Sequence, residues 1–393
     1  MVELSRTPTM SLAEHVASMP LIDHHVHGAF TAELGRAEFE VHLNEGSPEP
    51  VPEWMTQFDS QLGFAIRRWC APLLDLPERA SVEAYWTRRT ELGVAEVTER
   101  FLRAAGVSDW LLDTGFAAET VLGPDGMAAA SGSAAHEIVR LESLAEELAA
   151  DGVPGREYAD EFGSRLSLAT RNAVGVKSVL AYRTGFGIDL SRPSRRDVAK
   201  AAQRWVDAGG GRLVDAVLLR HGLHAAVERG LPIQIHTGLG DRDLDLHEAN
   251  PVRLLDFLRL PEAAAVPIML LHCYPYHREA AYLAQAFPNV HIDVGLALNH
   301  VGVRSREVLA ESFELAPFAK LLYSSDGWGP PELHYLGAAL WRRAITTTFG
   351  RWVEDGDWSL ADAKRIADMV GRENAARLYQ LGAIGNSCPS AGF

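Results

Sequence analysis

The sequence predicts an α/β protein, a (β/α)8 TIM barrel with a helical insertion after its first strand. Short apolar runs alternate with longer helical patterns along most of the chain. That alternation marks parallel strands joined by crossover helices. Polar residues gather at the trailing ends of those runs, the end at which a barrel builds its site. The rival, an open doubly wound sheet, is weakened because no glycine-rich dinucleotide fingerprint follows the first run.

The predicted strands are PLIDHHVH (20–27), DWLLDTGF (109–116), HEIVRLES (136–143), VGVKSVLAYR (174–183), LPIQIHTG (231–238), VPIMLLHCY (266–274), NVHIDVGLA (289–297) and AKLLYSSDG (319–327). The third could equally open the helix that follows it. Helical patterns occupy the gaps. SRRDVAKAAQRWVDAG and RLVDAVLLRHGLHAAVERG separate strands four and five, and HREAAYLAQAF follows strand six. In NPVRLLDFLRL, Asn250 is an N-cap and Pro251 the first helical residue. After strand eight come ELHYLGAALWRRAITTTF and SLADAKRIADMVGRENAARLYQL. Residues 31–108 are too long for a crossover. With the Pro-rich EGSPEPVPEWM and the helical SVEAYWTRRTELGVAEVTERFLRAAG, they read as a helical insertion over the catalytic face of a single 1–393 barrel.

Composition narrows the function classes. The 393 residues are 47% hydrophobic and 23% charged, as in ordinary globular proteins. A net charge of −15 disfavours nucleic acid and anionic membrane, which need a basic surface. A small-molecule substrate is the expected partner, with a homodimer as the default assembly. Cys70, Cys273 and Cys388 are too scattered for a zinc ribbon or disulfide framework, as in a reducing compartment. The N-terminus shows no apolar core of signal-peptide length, and no stretch approaches a membrane span of roughly 20 apolar residues. The expected location is therefore cytoplasmic.

The strand ends carry the chemistry. Strand one ends in His25 and His27, strand four carries Lys177, and strands five, six and eight end in His236, His272 and Asp326. Residues two apart on a strand share a face, so His25 and His27 enter the barrel together while His24 points outward. A lone strand histidine is ordinarily a satisfied core residue. Four strand-end histidines and an aspartate instead suit Zn²⁺ or a similar divalent ion, one or two per chain. Without a thiolate, the set fits a catalytic site better than a structural one. Such an ion lowers the pKa of the water it holds to about 7.

The segments LIDHHVH, HTG, LLHCYP and SSDG resemble the amidohydrolase superfamily, in its amidohydrolase 2 branch. KSVLAYRTG, QIHTGLGDRDLDLHEANP and LLYSSDGWGPPELHYLGA are similar to the amidohydrolase part of fungal and plant proteins fused to a glutamine-synthetase-like domain. The resemblance implies that His25, His27 and His236 are metal ligands and that Asp326 is a ligand and the general base. It makes His272 either a second-metal ligand or a catalytic histidine that polarises the substrate. Lys177 would be carboxylated and bridge two metals, hold a substrate or internal carboxylate, or serve structure alone. Arg183, Tyr182, Trp328 and His300 are candidate substrate contacts, Arg183 through a fork on a carboxylate.

The leading function is a metal-dependent hydrolase of an amide or related C–N bond in a small, carboxylate-bearing substrate. The alternative is a zinc-dependent non-oxidative decarboxylase of the aminocarboxymuconate-semialdehyde type. A non-catalytic binding protein that kept the fold is a third reading, against which the intact ligand set argues.

Overall fold

The computed structural model describes residues 10–382, so the tail NSCPSAGF with Cys388 lies outside the described residues. Seven parallel strands follow one another around the sheet in chain order: β1 (Leu21–Val26), β2 (Val107–Asp113), β3 (Ala134–Arg140), β4 (Gly175–Ser178), β5 (Ile233–His236), β6 (Ile268–Leu271) and β7 (Val290–Ile292). Each lies in or overlaps the run predicted for it, and all are shorter. Side chains end them: Ser178 Oγ accepts from the Leu180 amide, and Asp293 Oδ1 accepts from the Gly295 amide. The chain thus turns into the short helices Leu180–Tyr182 and Gly295–Val301, where the sequence suggested continued strand. In the third run both alternatives hold in succession, since β3 passes directly into the helix Leu141–Ala150.

The eighth predicted strand is replaced by an irregular segment that closes the barrel. Phe318–Lys320 form a 3₁₀ turn. The Leu322 amide then donates to Ile292 O of β7 at 3.0 Å. On the other side the His24 amide donates to Tyr323 O at 3.2 Å, the Asp326 amide to His25 O at 3.2 Å and the His27 amide to Gly327 O at 2.9 Å. A regular ladder is broken because the Ser325 amide bonds the Asp23 carboxylate and Asp326 takes a positive φ of 48°.

Side chains alternate across the sheet. Leu21, Leu112, Val139, Ile268 and Leu270 pack with the surrounding helices. Their neighbours Ile22, Leu111, Ile138, Met269, Leu271 and Leu322 meet inside the barrel, with Tyr379 and Ala375 from the C-terminal end. The register slips twice along β1: Leu21 pairs with Val107 but Ile22 with Asp109, and Asp23 pairs with Trp110 but Val26 with Leu112, three steps against two. Such a bulge lets neighbours share a face. His24 therefore does not point outward as simple alternation predicts. It is fully buried and bonds Tyr379 Oη at 3.1 Å and Asp293 Oδ2 at 3.0 Å.

Between β1 and β2 the chain forms the helices Arg36–Val41, Gln61–Ala65 and Val82–Ala104, the last interrupted at Gly93, where φ is +78°. Phe39, Phe58, Leu62, Tyr85 and Phe101 make a separate apolar cluster with Leu333, Leu336 and Leu340 of the helix Pro331–Glu354. An ion pair sits inside that contact. Arg89 Nε lies 2.7 Å from Glu332 Oε1, Tyr85 Oη donates to the same oxygen at 3.0 Å, and the guanidinium covers the Phe39 ring at 4.7 Å. Breaking a buried pair from one side strands the other charge at a cost of about 3–5 kcal/mol. Arg89→Ala is therefore expected to lower unfolding free energy by roughly that amount, read from the midpoint of a urea titration. A loss within measurement error would show that the pair does not anchor these helices.

Candidate metal centre and its cavity

At the mouth of the barrel, His25, His272 and Asp326 each offer a ligand atom within 4.8 Å of the others. His25 Nε2 lies 3.1 Å from Asp326 Oδ1, His27 Nε2 lies 3.7 Å from the same oxygen, and His272 Nδ1 lies 3.4 Å from Oδ2. The His236 ring centroid is 4.6 Å from that of His272. Thus the strand-end histidines and Asp326 come together as the sequence suggested.

Two of these candidate ligands sit in unusual backbone. His272 and Asp326 have φ of 68° and 48°, the left-handed region that costs a non-glycine residue about 1 kcal/mol. Their turns are held by side chains: the His272 amide donates to Asp293 Oδ1 at 3.1 Å, and the Gly327 amide donates to Ser325 Oγ at 3.0 Å. Asp293 Oδ1 also accepts from Ser324 Oγ at 2.9 Å, so one carboxylate joins β7, the turn after β6 and the closing segment.

Burial pushes the pKa of His27 down to about 3 and of His272 to about 4, and lowers His25 and His236 as well. These imidazoles are neutral at pH 7, the form that ligates metals. Burial opposes ionisation of Asp326, but His272 and His25 hold its carboxyl well below the usual range. Among the described residues, His236 Nε2, both ring nitrogens of His272 and Asp326 Oδ1 are buried without a hydrogen-bond partner. Buried polar atoms are rarely left so. The open edges of two neutral imidazoles, His236 and His272, and a carboxylate oxygen together fit a divalent cation. His25 is oriented from behind, its Nδ1 2.8 Å from Gln234 Oε1. His334 Nε2 bonds the His27 carbonyl at 2.9 Å.

Lys177 is buried with Nζ 2.9 Å from His25 Nε2 and 3.2 Å from Asp113 Oδ2. Asp113 also receives Arg140, whose Nη2 is 2.5 Å from Oδ2. Burial would raise the Asp113 pKa, but Arg140 and Lys177 hold it well below the ordinary value. Asp113, Arg140, Gln234 and Asp293 were missed in the sequence. Three of them stand at or beside the ends of β2, β3 and β7, where the strand-end rule applied to the other strands would have found them.

A cavity of about 390 Å³ opens above the centre, lined by His27, Lys177, His236, His272 and Asp326 at its base. Tyr182, Arg183, His300 and Trp328, the candidate substrate contacts, also line it. Tyr182 reaches the centre because residue 240 is glycine: a Cβ there would lie 2.2 Å from Tyr182 Oη. Arg183 Nη1 lies 3.1 Å from Glu146 Oε1, so the guanidinium already faces one carboxylate. Trp328 stands among Phe30, His42 and Phe116, with ring centroids 5.3, 4.9 and 5.2 Å away. His42, Asn44, Glu45 and Ser47, from the segment between β1 and β2, complete the rim.

With this geometry in place, the comparisons are direct. The amidohydrolase 2 family pattern matches residues 125–381. The chain belongs to the amidohydrolase family. This amidohydrolase is similar to Protein fluG of Emericella nidulans: the two are 33% identical over 285 residues, 63% of this chain and 32% of that one. The chain thus spans about a third of that relative's length. A solved structure from Lactobacillus casei ATCC 334, whose description as a metal-dependent hydrolase is itself provisional, superposes with a TM-score of 0.83 at 27% identity. The match covers 94% of this chain and 97% of that one. Uronate isomerases of Bacillus halodurans C-125 and Thermotoga maritima share the fold, each with a TM-score of 0.60, at 15% and 12% identity. They cover 94% of this amidohydrolase and 95% and 96% of their own chains. Among its described residues, no helix is long and apolar enough to cross a membrane.

The Asp113 carboxylate gives a pH prediction. Its folded pKa is depressed, so it contributes stability above the unfolded carboxylate value of about 3.9, lost as pH falls through the folded one. Asp113→Asn leaves Lys177 and Arg140 as buried like charges. The variant should be less stable at pH 7 by about 3 kcal/mol or more and lose less on acidification below about pH 4. Denaturant midpoints across pH check both; parallel curves for the two proteins would refute the assignment.

Proposed function

We propose that this chain is a metal-dependent hydrolase that uses activated water on an amide or related C–N bond of a small substrate. The convergence of open His236, His272 and Asp326 atoms beneath a cavity, in an amidohydrolase, carries this reading. His25, His27, His236 and Asp326 would hold the ion, with Gln234 fixing the His25 ring. The ion, when bound, supplies a Lewis acid that acidifies water and polarises a carbonyl. Asp326, ionised and facing His25 and His272, is placed to take the proton from water and return it to the leaving nitrogen. His272, neutral at pH 7, would polarise the substrate carbonyl from the other side. Burial keeps the Tyr182 phenol protonated, so it offers a donor beside His236.

Lys177 favours one ion over two. Its Nζ already pairs with Asp113, and a carboxylated lysine would set a second anion against that carboxylate. Metal analysis of zinc-loaded protein should therefore find one equivalent, and growth with labelled bicarbonate should leave no carbamate signal on Lys177. Two equivalents with a labelled carbamate would overturn the single-ion assignment and leave the hydrolase standing.

The function is tested with a panel of small amides and their parent acids in heavy-oxygen water. One oxygen label should enter the carboxylate product, and Asp326→Asn should lower kcat/KM by roughly 10²–10⁴-fold. Carbon dioxide release with no label in the remaining organic product would instead establish the decarboxylase.

A further inference from the structure

Each of the cavity's positive groups lies at ion-pair distance from a carboxylate, whereas one carboxylate at the rim has neither a hydrogen bond nor an ion pair. Lys177 and Arg140 share Asp113, Arg183 faces Glu146, and Arg212 Nη1 lies 2.9 Å from Asp243 Oδ2. Asp241 accepts from the Asp243 amide at 2.8 Å. Glu45 lines the same cavity, and no hydrogen bond or ion pair reaches its carboxylate among the described residues. The charged groups that act on it are Asp326 and Asp241, both negative, and Lys177, already paired.

Glu45 is also held in place. The Arg242 amide donates to Gly46 O at 3.1 Å, and Arg242 Nη2 lies 2.6 Å from Glu49 Oε1. These two contacts join the 45–49 segment to the loop after β5 and place Glu45 at the rim. Glu45 is half-buried, and a carboxylate partly withdrawn from water without a partner gains from any cation that pairs with it. Burial accordingly pushes its pKa up to about 8. A cationic nitrogen on a ligand would relieve both penalties with a charge-assisted hydrogen bond.

We infer that Glu45 is a specificity residue that receives a positively charged nitrogen of the substrate, so that the substrate class is an amide carrying a second, ammonium-type nitrogen. This rests on the metal-centre reading, since the scissile group must sit at the ion while the ammonium reaches Glu45. It adds a positive end to the expected substrate, beside any carboxylate that Arg183 receives.

Hydroxamates separate the two ideas, because a hydroxamate binds a divalent ion whatever its tail. Zinc-loaded protein is titrated calorimetrically with ω-amino alkyl hydroxamates carrying two to four methylenes and with alkyl hydroxamates of equal length. The best amino probe should bind roughly tenfold or more tighter than its alkyl counterpart. Glu45→Gln should erase that preference and leave alkyl hydroxamate affinity unchanged, which also shows that the variant is folded. Asp241→Asn should keep the preference. Equal binding of both series to the parent protein overturns the inference and leaves the metal centre standing. Loss of the preference in Asp241→Asn but not in Glu45→Gln also overturns it. No binding by any hydroxamate overturns both readings.

Discussion

Backbone hydrogen bonds between β1 and the irregular segment 321–327 govern the site. They close the barrel, and the bond from the Asp326 amide to His25 O fixes how the carboxylate meets the imidazoles. A regular eighth strand would follow the alternation of its neighbours. The strained turn at Asp326 departs from it, and the bulge in β1 lets His25 and His27 face the carboxylate while His24 turns inward to Asp293. The backbone cost of about 1 kcal/mol at each left-handed residue is small beside the penalty for leaving a buried carboxylate without cationic or donor partners.

Buried charge is handled in two units below and beside the centre. Asp113 takes Lys177 and Arg140 together, so two cations from β4 and β3 share one anion from β2. Asp293 takes His24 and the backbone of the turn that presents His272. Neither unit uses the open atoms of His236, His272 or Asp326. Structural carboxylates thus satisfy their own neighbours and leave those atoms unclaimed, as a cation site requires and a self-sufficient polar core does not.

Much of this was legible in the sequence, for a physical reason. Strand period and the rule that barrel sites lie at strand ends are local, so His25, His27, His236, His272 and Asp326 could be read from runs of eight or nine residues. His24 was misread because a bulge depends on pairing with β2, which the β1 sequence does not contain. Asp113, Arg140 and Asp293 carried the same strand-end signal, but their role is visible only when their partners, far away in the chain, are brought against them. Glu45 gave no local signal. It sits in a Pro-rich stretch whose course is set by contacts with Arg242 nearly two hundred residues away.

The segment that delivers Asp326 also fixes the cavity's roof. Within residues 326–334 lie the carboxylate, the Trp328 wall, the Glu332 that holds Arg89, and the His334 that bonds the His27 carbonyl. The helices between β1 and β2 are therefore tied to the same stretch of chain that shapes the metal centre. Base and rim are positioned relative to each other by a few rigid residues rather than by separate surfaces. A change in the rim that leaves Arg89 and Glu332 intact can alter which substrate fits without moving the imidazoles. A change in the anchor should disturb both. This arrangement lets a barrel keep one reaction centre while the insertion between its first two strands varies the ligand it accepts.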